Sequence, residues 1–474
     1  MKHSRTRTGC QTCRIRRIKC DERPGSCEKC ASTGRICDGY ASVQLPIRKP
    51  RNATTSLLHH PGLAASLPGK SSDERWCFTF FQTQTIPMLA GCFDSHLWPV
   101  VLQMCPAEPA VCHAVTALSA LHQASQQAKS GIYHAFAFKQ YGRALATLRA
   151  RLASTNDPQL RSVALVSCLL FMFFASIQGN LSEALLHLKQ GMHILSHRHG
   201  QAARQMLLSA QNQPLSMFEA SVWKLFAHLE VQSAHFDASG ALKLYPTDGQ
   251  LVEVDSSPCM FHSVNEAKEM LDPLLNNVFR VWTLREETDF LTLAVEQRKI
   301  QSEIMRHMAA LDNSMNNSNN TKFITSEKDS RCLDIIRLHH LILYINVETI
   351  LSTSEMVFDH YNPEWRECLR LARRIIDSFR AEFSASSMPI LTADLGVLLP
   401  LSWITLKCRH PGLRQEALDL MAEWPHCEGF NDSVVLLQIS REIIDFEMRQ
   451  GCLPIPDEAR VRSFTLEDGV LLIS

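Results

Sequence analysis

Six cysteines near the start of the chain have a spacing that suits metal chemistry. They read Cys10-x2-Cys13-x6-Cys20-x6-Cys27-x2-Cys30-x6-Cys37, two C-x2-C-x6-C units in succession. A C-x2-C step lets two thiolates reach one metal from a tight turn and the start of a helix. A third thiolate returns six residues later. Tetrahedral zinc takes four ligands, so one unit falls one sulfur short. Two zinc ions need eight sulfur contacts, and the six cysteines supply them only if two sulfurs bridge. The pattern predicts one binuclear thiolate cluster rather than two separate fingers.

Two other uses of such cysteines fit poorly. A disulfide framework needs an oxidising compartment. The start, Met1-Lys2-His3-Ser4-Arg5, is followed by no apolar run of the kind a secretory signal has. A storage metallothionein would be cysteine-rich throughout. Here the other eleven cysteines are scattered singly, mostly among apolar residues, and are expected to be small buried hydrophobes. Thiols in a reducing compartment and a soluble chain follow as expectations.

The apolar residues of this segment are few, chiefly Ile15, Ile18, Ile36 and Val43. They cannot offset the ordering entropy, roughly 1–2 kcal/mol per residue. Metal binding must supply the folding free energy, on the order of 10–16 kcal/mol per structural zinc.

Charge points the segment at nucleic acid. Residues 1–51 hold 13 Lys/Arg against 4 Asp/Glu, a net of +9, in a chain whose formal net charge is zero. The rest of the chain is therefore mildly acidic. Six thiolates with two Zn2+ carry −2, which leaves the module near +7. The surrounding Arg and Lys are expected to lower the thiol pKa values. Between Cys13 and Cys20 lie Arg14-Ile15-Arg16-Arg17-Ile18-Lys19. On a helix Arg14 and Arg17 share one face, and Arg16 and Lys19 another. Ile15 and Ile18 are expected to form the inward stripe. A short basic helix on a rigid cluster suits the major groove, where Arg or Lys meets guanine O6 and N7. Lys2, Arg5, Arg7, Arg48, Lys49 and Arg51 flank it and could reach phosphates.

The stretch Gly9 to Asp21, followed by Pro24, Cys27, Cys30, Gly34, Cys37 and Gly39-Tyr40, resembles the fungal binuclear zinc-cluster (Zn(II)2Cys6) transcription factors. That resemblance implies two Zn2+ ions with Cys10 and Cys27 bridging. Cys13 and Cys20 would complete one site, and Cys30 and Cys37 the other. Arg16 and Arg17 would sit at the groove, with Arg17 reading a base, while Arg14 and Lys19 would position on the backbone. CGG-type triplets are the sites such proteins commonly read.

Behind the module the expected fold is all-α. The domains expected are the cluster at 1–45, a flexible linker at 46–74, a large helical body at 75–455 and a C-terminal tail at 456–474. The linker holds Pro46, Pro50, Pro61, Pro68 and the pair His59-His60, with no heptad pattern for a dimerisation helix. Ile47-Arg48-Lys49-Pro50-Arg51 suits nuclear import or phosphate contact equally. In the body, Tyr141, Leu145, Leu148 and Leu152 step by 4, 3 and 4, and Leu181, Leu185, Leu188, Met192 and Leu195 by 4, 3, 4 and 3. Both are helical stripes. Arg366 to Phe379 and Val434 to Met448 read likewise. Asp157-Pro158 is expected to open a helix that Gly179-Asn180 ends. The run Val163 to Ile177 is short of the ~20 residues that span a bilayer and is expected to be a core helix. Asn313 to Asn320, continued by polar residues, suggests a mobile insertion at 312–330. The tail, with Leu466-Glu467-Asp468-Gly469-Val470-Leu471-Leu472, is expected to pack as a strand or arm.

No phosphate-binding loop, dinucleotide fingerprint or nucleophile elbow occurs, so an enzyme is not expected. His193 and His197 have ligand spacing but lack the Glu of an H-E-x-x-H site and are expected to be a solvated face. Trp76, Trp98, Trp223 and Trp403 are expected in cores or interfaces. Gln178-Gly179-Asn180 and Cys408-Arg409-His410-Pro411, with Arg414, Ala417, Leu418, Glu428-Gly429 and Asp432-Ser433, resemble the helical regulatory region of the same fungal factors. The expected function is a nuclear, pathway-specific activator, with a repressor or partner-dependent regulator as the alternative. The expected partners are double-stranded DNA, a second copy of the chain, and co-regulators or a small-molecule effector at the body, with no membrane.

Overall fold

The structure is a computed structural model of the 474-residue chain. It describes residues 10, 12–13, 16, 18–21, 27–35, 37, 71–92, 97–126, 131–153, 159–199, 217–233, 260–285, 288–316, 323–383, 388–449, 454–467 and 470–473. The chain divides into two compact units, Met1–Gln82 and Thr83–Ser474.

The first unit contains a one-turn helix α1 (Glu28–Ala31) in the cysteine segment and α2 (Ser72–Phe80). Helix α2 starts with a capping box. Ser71 Oγ accepts from Glu74 N at 3.2 Å, and Glu74 Oε2 accepts from Ser71 N at 2.9 Å. This reciprocal pair satisfies two orphan amides and sets the helix start at Ser72. The linker expected at 46–74 thus ends at the Ser71 cap; its residues before 71 lie outside the described set.

The second unit is a helical body. It holds α3 (Ile86–Leu89), α4 (Leu97–Met104), α5 (Pro109–Gln126), α6 (Gly131–Leu152), α7 (Leu160–Ile177), α8 (Leu181–His199) and α9 (Met217–Ser233). Then come α10 (Val264–Leu284), α11 (Phe290–Asn316), α12 (Glu327–Thr349), α13 (Asn362–Glu382), α14 (Leu398–Lys407), α15 (Pro411–Glu423) and α16 (Ser433–Met448). Consecutive helices pack as hairpins: α5 on α6, α7 on α8, α12 on α13, α14 on α15. The expected helices at 141–152, 181–195, 366–379 and 434–448 are all present as parts of α6, α8, α13 and α16.

Helix α7 is 18 residues, longer than the apolar run that marks it, and by length and composition alone it could cross a membrane. In the fold, 78% of it is buried, against α5, α6, α8 and α9. Val163 to Ser176 are buried without a break. Burying each of its phenylalanines contributes roughly 1.5–3 kcal/mol. The helix ends at Gly179, where Asn180 N bonds Ala175 O and Gly179 N bonds Ser176 O, each at 3.0 Å. This six-to-one closure needs a left-handed residue, and Gly179 has φ +68°. Asn180 then caps α8, its Oδ1 accepting from Glu183 N. Asp157-Pro158 lies outside the described residues, and α7 starts at Leu160.

The polar segment 312–330 is mostly helix among its described residues. Residues 313–316 finish α11, with Ser314 buried and its Oγ accepting from Phe261 N at 2.6 Å. Ser326 caps α12 through Asp329 N. Asn and Ser read as loop by composition, yet here two serines serve as a core hydroxyl and a helix cap.

Strands are few among the described residues. β1 (Leu391–Thr392) pairs parallel with β2 (Cys427–Glu428), which pairs antiparallel with β3 (Asn431–Asp432). β4 (Phe464–Glu467) and β5 (Val470–Ile473) form an antiparallel hairpin. The tail is therefore a strand pair, joined to the body by buried Val461 in a cluster with Leu406, Ile439 and Ile443.

Candidate metal centre and nucleic-acid interface

The cluster repeats one local fold twice, seventeen residues apart. Cys13 N donates to Cys10 Sγ, and Cys30 N to Cys27 Sγ, each at 3.3 Å. Cys10 N donates to Cys20 Sγ at 3.4 Å, and Cys27 N to Cys37 Sγ at 3.5 Å. Ile18 N bonds Cys13 O, and Arg35 N bonds Cys30 O. Each C-x2-C-x6-C unit thus wraps its own sulfurs with its own amides.

The sulfurs form two sets whose members all lie within 4.8 Å of one another: Cys10, Cys13, Cys20, Cys27 and Cys10, Cys27, Cys30, Cys37. Cys10 and Cys27 belong to both. Their sulfurs are 3.6 Å apart; Cys13 to Cys27 is 3.5 Å and Cys10 to Cys30 is 3.8 Å. A tetrahedron built on Zn–S bonds of ~2.3 Å has edges of ~3.8 Å. The donor set therefore fits a binuclear zinc site in count, element and spacing.

Burial pushes the Cys10 thiol up to about 12 and raises Cys13 and Cys27 as well. The expected lowering by nearby Arg and Lys does not occur for these three. Desolvation dominates, because the sulfurs are packed against one another and away from water. Thiolates crowded in this way need divalent cations to balance them.

The module has no aliphatic core among its described residues. Its buried cluster consists of Cys10, Cys13, Cys27, Cys30 and Cys37, with Cys20 packed against them. Ile18, expected on the inward stripe, is 40% exposed. The correction has a simple cause: the inward side of this turn is taken by Cys13, and the sulfurs fill the space an isoleucine would occupy. Ile15 lies outside the described residues.

Of the four cationic candidates, Lys19 is exposed and Arg16 half-buried. Arg14 and Arg17 lie outside the described residues. Arg16 does not project freely: its Nη1 donates to Lys29 O at 3.3 Å and to Thr33 Oγ1 at 3.2 Å. In the second half, Asp21 caps α1, accepting from Glu28 N at 2.9 Å and Lys29 N at 3.3 Å. Gly34, at φ +62°, ends that turn. Lys29 and Arg35 are exposed on this half, and the sequence reading misses them. Their signal is the repeat itself, which makes Arg35 the counterpart of Ile18.

Residues 8–44 match the fungal Zn(2)-Cys(6) binuclear cluster domain, and residues 77–274 match the fungal specific transcription factor domain. The chain carries the binuclear cluster domain of the fungal zinc-cluster regulators. Among its relatives is the aspercryptin biosynthesis cluster-specific transcription regulator of Emericella nidulans, 28% identical over 334 residues, covering 64% of this chain and 51% of that protein. The transcription regulator lscL of Purpureocillium lilacinum is 31% identical over 245 residues, 45% of this chain and 55% of that one. White-opaque regulator 2 of Candida albicans is 57% identical over 54 residues, 11% of this chain and 12% of its own length. The chain thus spans about half the length of the first two of these curated relatives.

The passages of this zinc-cluster protein that resemble the family's regulatory region are built into its interior. Arg409 donates to Glu355 Oε2 at 3.3 Å and to Glu447 Oε1 at 2.9 Å, while Arg414 donates to Glu447 Oε2 at 2.6 Å. Lys407, fully buried, donates to both oxygens of Glu355 and to Arg462 O. Burial pushes its ammonium down to about 8. Glu428 accepts from Gly396 N, Val397 N and Leu398 N, which closes the start of α14. Asp432 caps α16. These residues hold helices and strands together.

Of the remaining candidates, His193 is exposed on α8, and the His197 side chain lies outside the described residues. Trp98 is buried, Trp223 and Trp403 are half-buried, and Trp76 is exposed.

Proposed function

We propose that this chain is a sequence-specific DNA-binding transcription regulator that acts in the nucleus. The observation that carries the proposal is the pair of four-sulfur sets sharing Cys10 and Cys27. Cys13 and Cys20 would complete one zinc site and Cys30 and Cys37 the other, with Cys10 and Cys27 bridging. Zinc supplies the charge that keeps the buried thiolates and holds the two halves in one fold. In this reading Arg14, Arg16, Arg17 and Lys19 supply the positive charge that DNA meets. Arg17 is the base reader of this reading, and Lys19 a phosphate contact.

The pathway follows the relatives' names. One is described as specific to a biosynthesis cluster, and we read this chain as an activator of one such gene set. Its body is a regulatory scaffold and not an enzyme.

Titration of the zinc-loaded chain against duplexes with and without CGG triplets tests the DNA claim. Preferential binding to the triplet, lost on chelation, is expected; equal affinity for every duplex would refute it. Arg17→Ala should keep both zinc ions, weaken specific binding by roughly 1–3 kcal/mol and relax base preference. Genome-wide occupancy with transcript levels after deletion tests the pathway claim. Sites upstream of one contiguous gene set that falls silent would support it, and genes that rise would reverse its sign.

A further inference from the structure

We infer that Arg16 is a positioning residue that straps the two halves of the zinc cluster together, and that it is not a DNA contact. The inference rests on the zinc-cluster reading above and revises its account of one residue. The two C-x2-C-x6-C units are related by a shift of seventeen residues, as Cys10 and Cys27 show. By that shift the counterpart of Arg16 is Thr33. The two meet across the module: Arg16 Nη1 donates to Thr33 Oγ1 at 3.2 Å. The same nitrogen donates to Lys29 O at 3.3 Å. Thr33 Oγ1 in turn donates to Lys29 O at 2.9 Å. One cationic donor, one hydroxyl and one carbonyl thus close a small ring of hydrogen bonds, and those from the guanidinium are charge-assisted.

A second strap leaves the first half five residues later. The Asp21 carboxylate accepts from Glu28 N and Lys29 N, at the start of α1. The turn is therefore held at its amides by an anion and at its carbonyl side by a cation, both from the other half. Zinc–sulfur bonds locate the six sulfurs. The torsions between each sulfur and its backbone still need contacts to set how one half faces the other. Arg16 and Asp21 supply them, and so place the exposed Lys29 and Arg35 relative to Lys19.

A double-mutant cycle on the full, zinc-loaded chain tests this with Arg16→Gln, Thr33→Val and both together. The first readout is the rate of zinc release to excess chelator, which involves no DNA. Each single variant should speed release by roughly 2- to 10-fold, the size of one net hydrogen bond. The double variant should speed release by less than the product of the two single effects, because the Arg16–Thr33 bond is already lost in each single variant. Additive effects, or release at the wild-type rate, would overturn the strap. The second readout is the salt dependence of binding to a CGG duplex. A lost phosphate contact lowers the slope of log K against log salt by about 0.9. A strap leaves the slope of Arg16→Gln at the wild-type value, and a fall of that size would overturn the proposal. Arg16→Lys, which keeps a donor, should recover most of the wild-type release rate. If the wild-type chain binds no duplex, the DNA reading fails by itself while the release cycle still decides the strap.

Discussion

Cys10 and Cys27 carry more of the cluster than their four companions, because each sulfur belongs to both four-sulfur sets. Removing Cys13 strips one ligand from one set. Removing Cys10 strips one from each. Metal analysis of purified variants should find about two zinc ions per wild-type chain, fewer in Cys13→Ala, and close to none in Cys10→Ala. Sequence-specific DNA binding should be lost in both variants, since the basic turn has no core of its own among its described residues. A Cys10→Ala chain that keeps two zinc ions would show that the bridging assignment is wrong. The buried histidines of the body set a different residue-scale property. His122 Nε2 lies 3.0 Å from Gln126 Nε2, and its Nδ1 lies 3.0 Å from Thr85 Oγ1. With the Gln126 amide donating, the single ring proton sits on Nδ1 and points at Thr85. His340 meets His307 at 2.9 Å, and His307 meets Ala267 O at 2.8 Å. A second proton on His122 would set donor against donor. Burial accordingly pushes His122 and His339 down to about 4, and lowers His307 and His340. In the unfolded chain these rings take up protons near pH ~6.5. Between about pH 6.5 and 4 the unfolded state holds more protons, so stability falls as pH falls through that window. The unfolding free energy from denaturant titration should drop by up to about 1.4 kcal/mol per pH unit for each such group. His122→Gln should flatten the profile, and a flat wild-type profile would contradict the account.

At the scale of elements, α7 shows what a sequence reveals and what it hides. Its apolar run and its Gly179-Asn180 stop are local, and both are legible. Gly179 holds φ +68° with nothing within 4 Å of where a Cβ would sit. Gly179→Ala should therefore cost roughly 1–2 kcal/mol from backbone strain alone. Gly179→Asn should cost less, because Asn tolerates this region. Thermal melts of the two variants check the order; equal losses would contradict an origin in the left-handed backbone. The stripes of α6 and α8 are legible for the same reason, since a period of about 3.6 repeats within a few turns. Other features are not. Ser314 and Ser326 read as loop, but one bonds Phe261 and the other caps α12. The contact with Phe261 spans 53 residues, beyond the reach of any local pattern. Arg409 and Arg414 stand out in the sequence, yet their joining through Glu355 and Glu447 depends on partners 33 to 54 residues away. In the cluster the opposite holds: spacing alone implies two bridging sulfurs, because metal coordination converts short-range sequence distance directly into geometry. Ile18 misleads there, since amphipathic reasoning assumes an aliphatic core that sulfur replaces.

At the scale of the whole molecule, the cysteine segment and the helical body draw on different sources of folding free energy. The body buries a long series of aliphatic and aromatic side chains, from Phe261 through Leu436 in one cluster and along α5 and α7 elsewhere. The cysteine segment buries sulfur and little else among its described residues. Chelation should therefore act on the cysteine segment alone. Among the described residues the cluster contributes only a few helical positions, Thr12-Cys13 and α1, whereas α3 to α16 belong to the body. Excess chelator should abolish specific binding to a CGG duplex and leave nearly all the helical ellipticity in place. The thermal transition of the body should stay within a few degrees of its holo value, because the burial that stabilises it is mostly apolar and, among the described residues, draws on no cysteine of the cluster. Restoring Zn2+ should restore binding. The charge division sharpens the test: the segment 1–51 carries a net +9 while the remainder is acidic, so a chain whose cluster has unfolded still attracts DNA weakly and without sequence preference. Residual binding after chelation should thus be the same on every duplex and vanish as salt is raised. Loss of most of the helical signal on chelation would mean that the body, too, depends on metal, and that the cluster is not the chain's only zinc site.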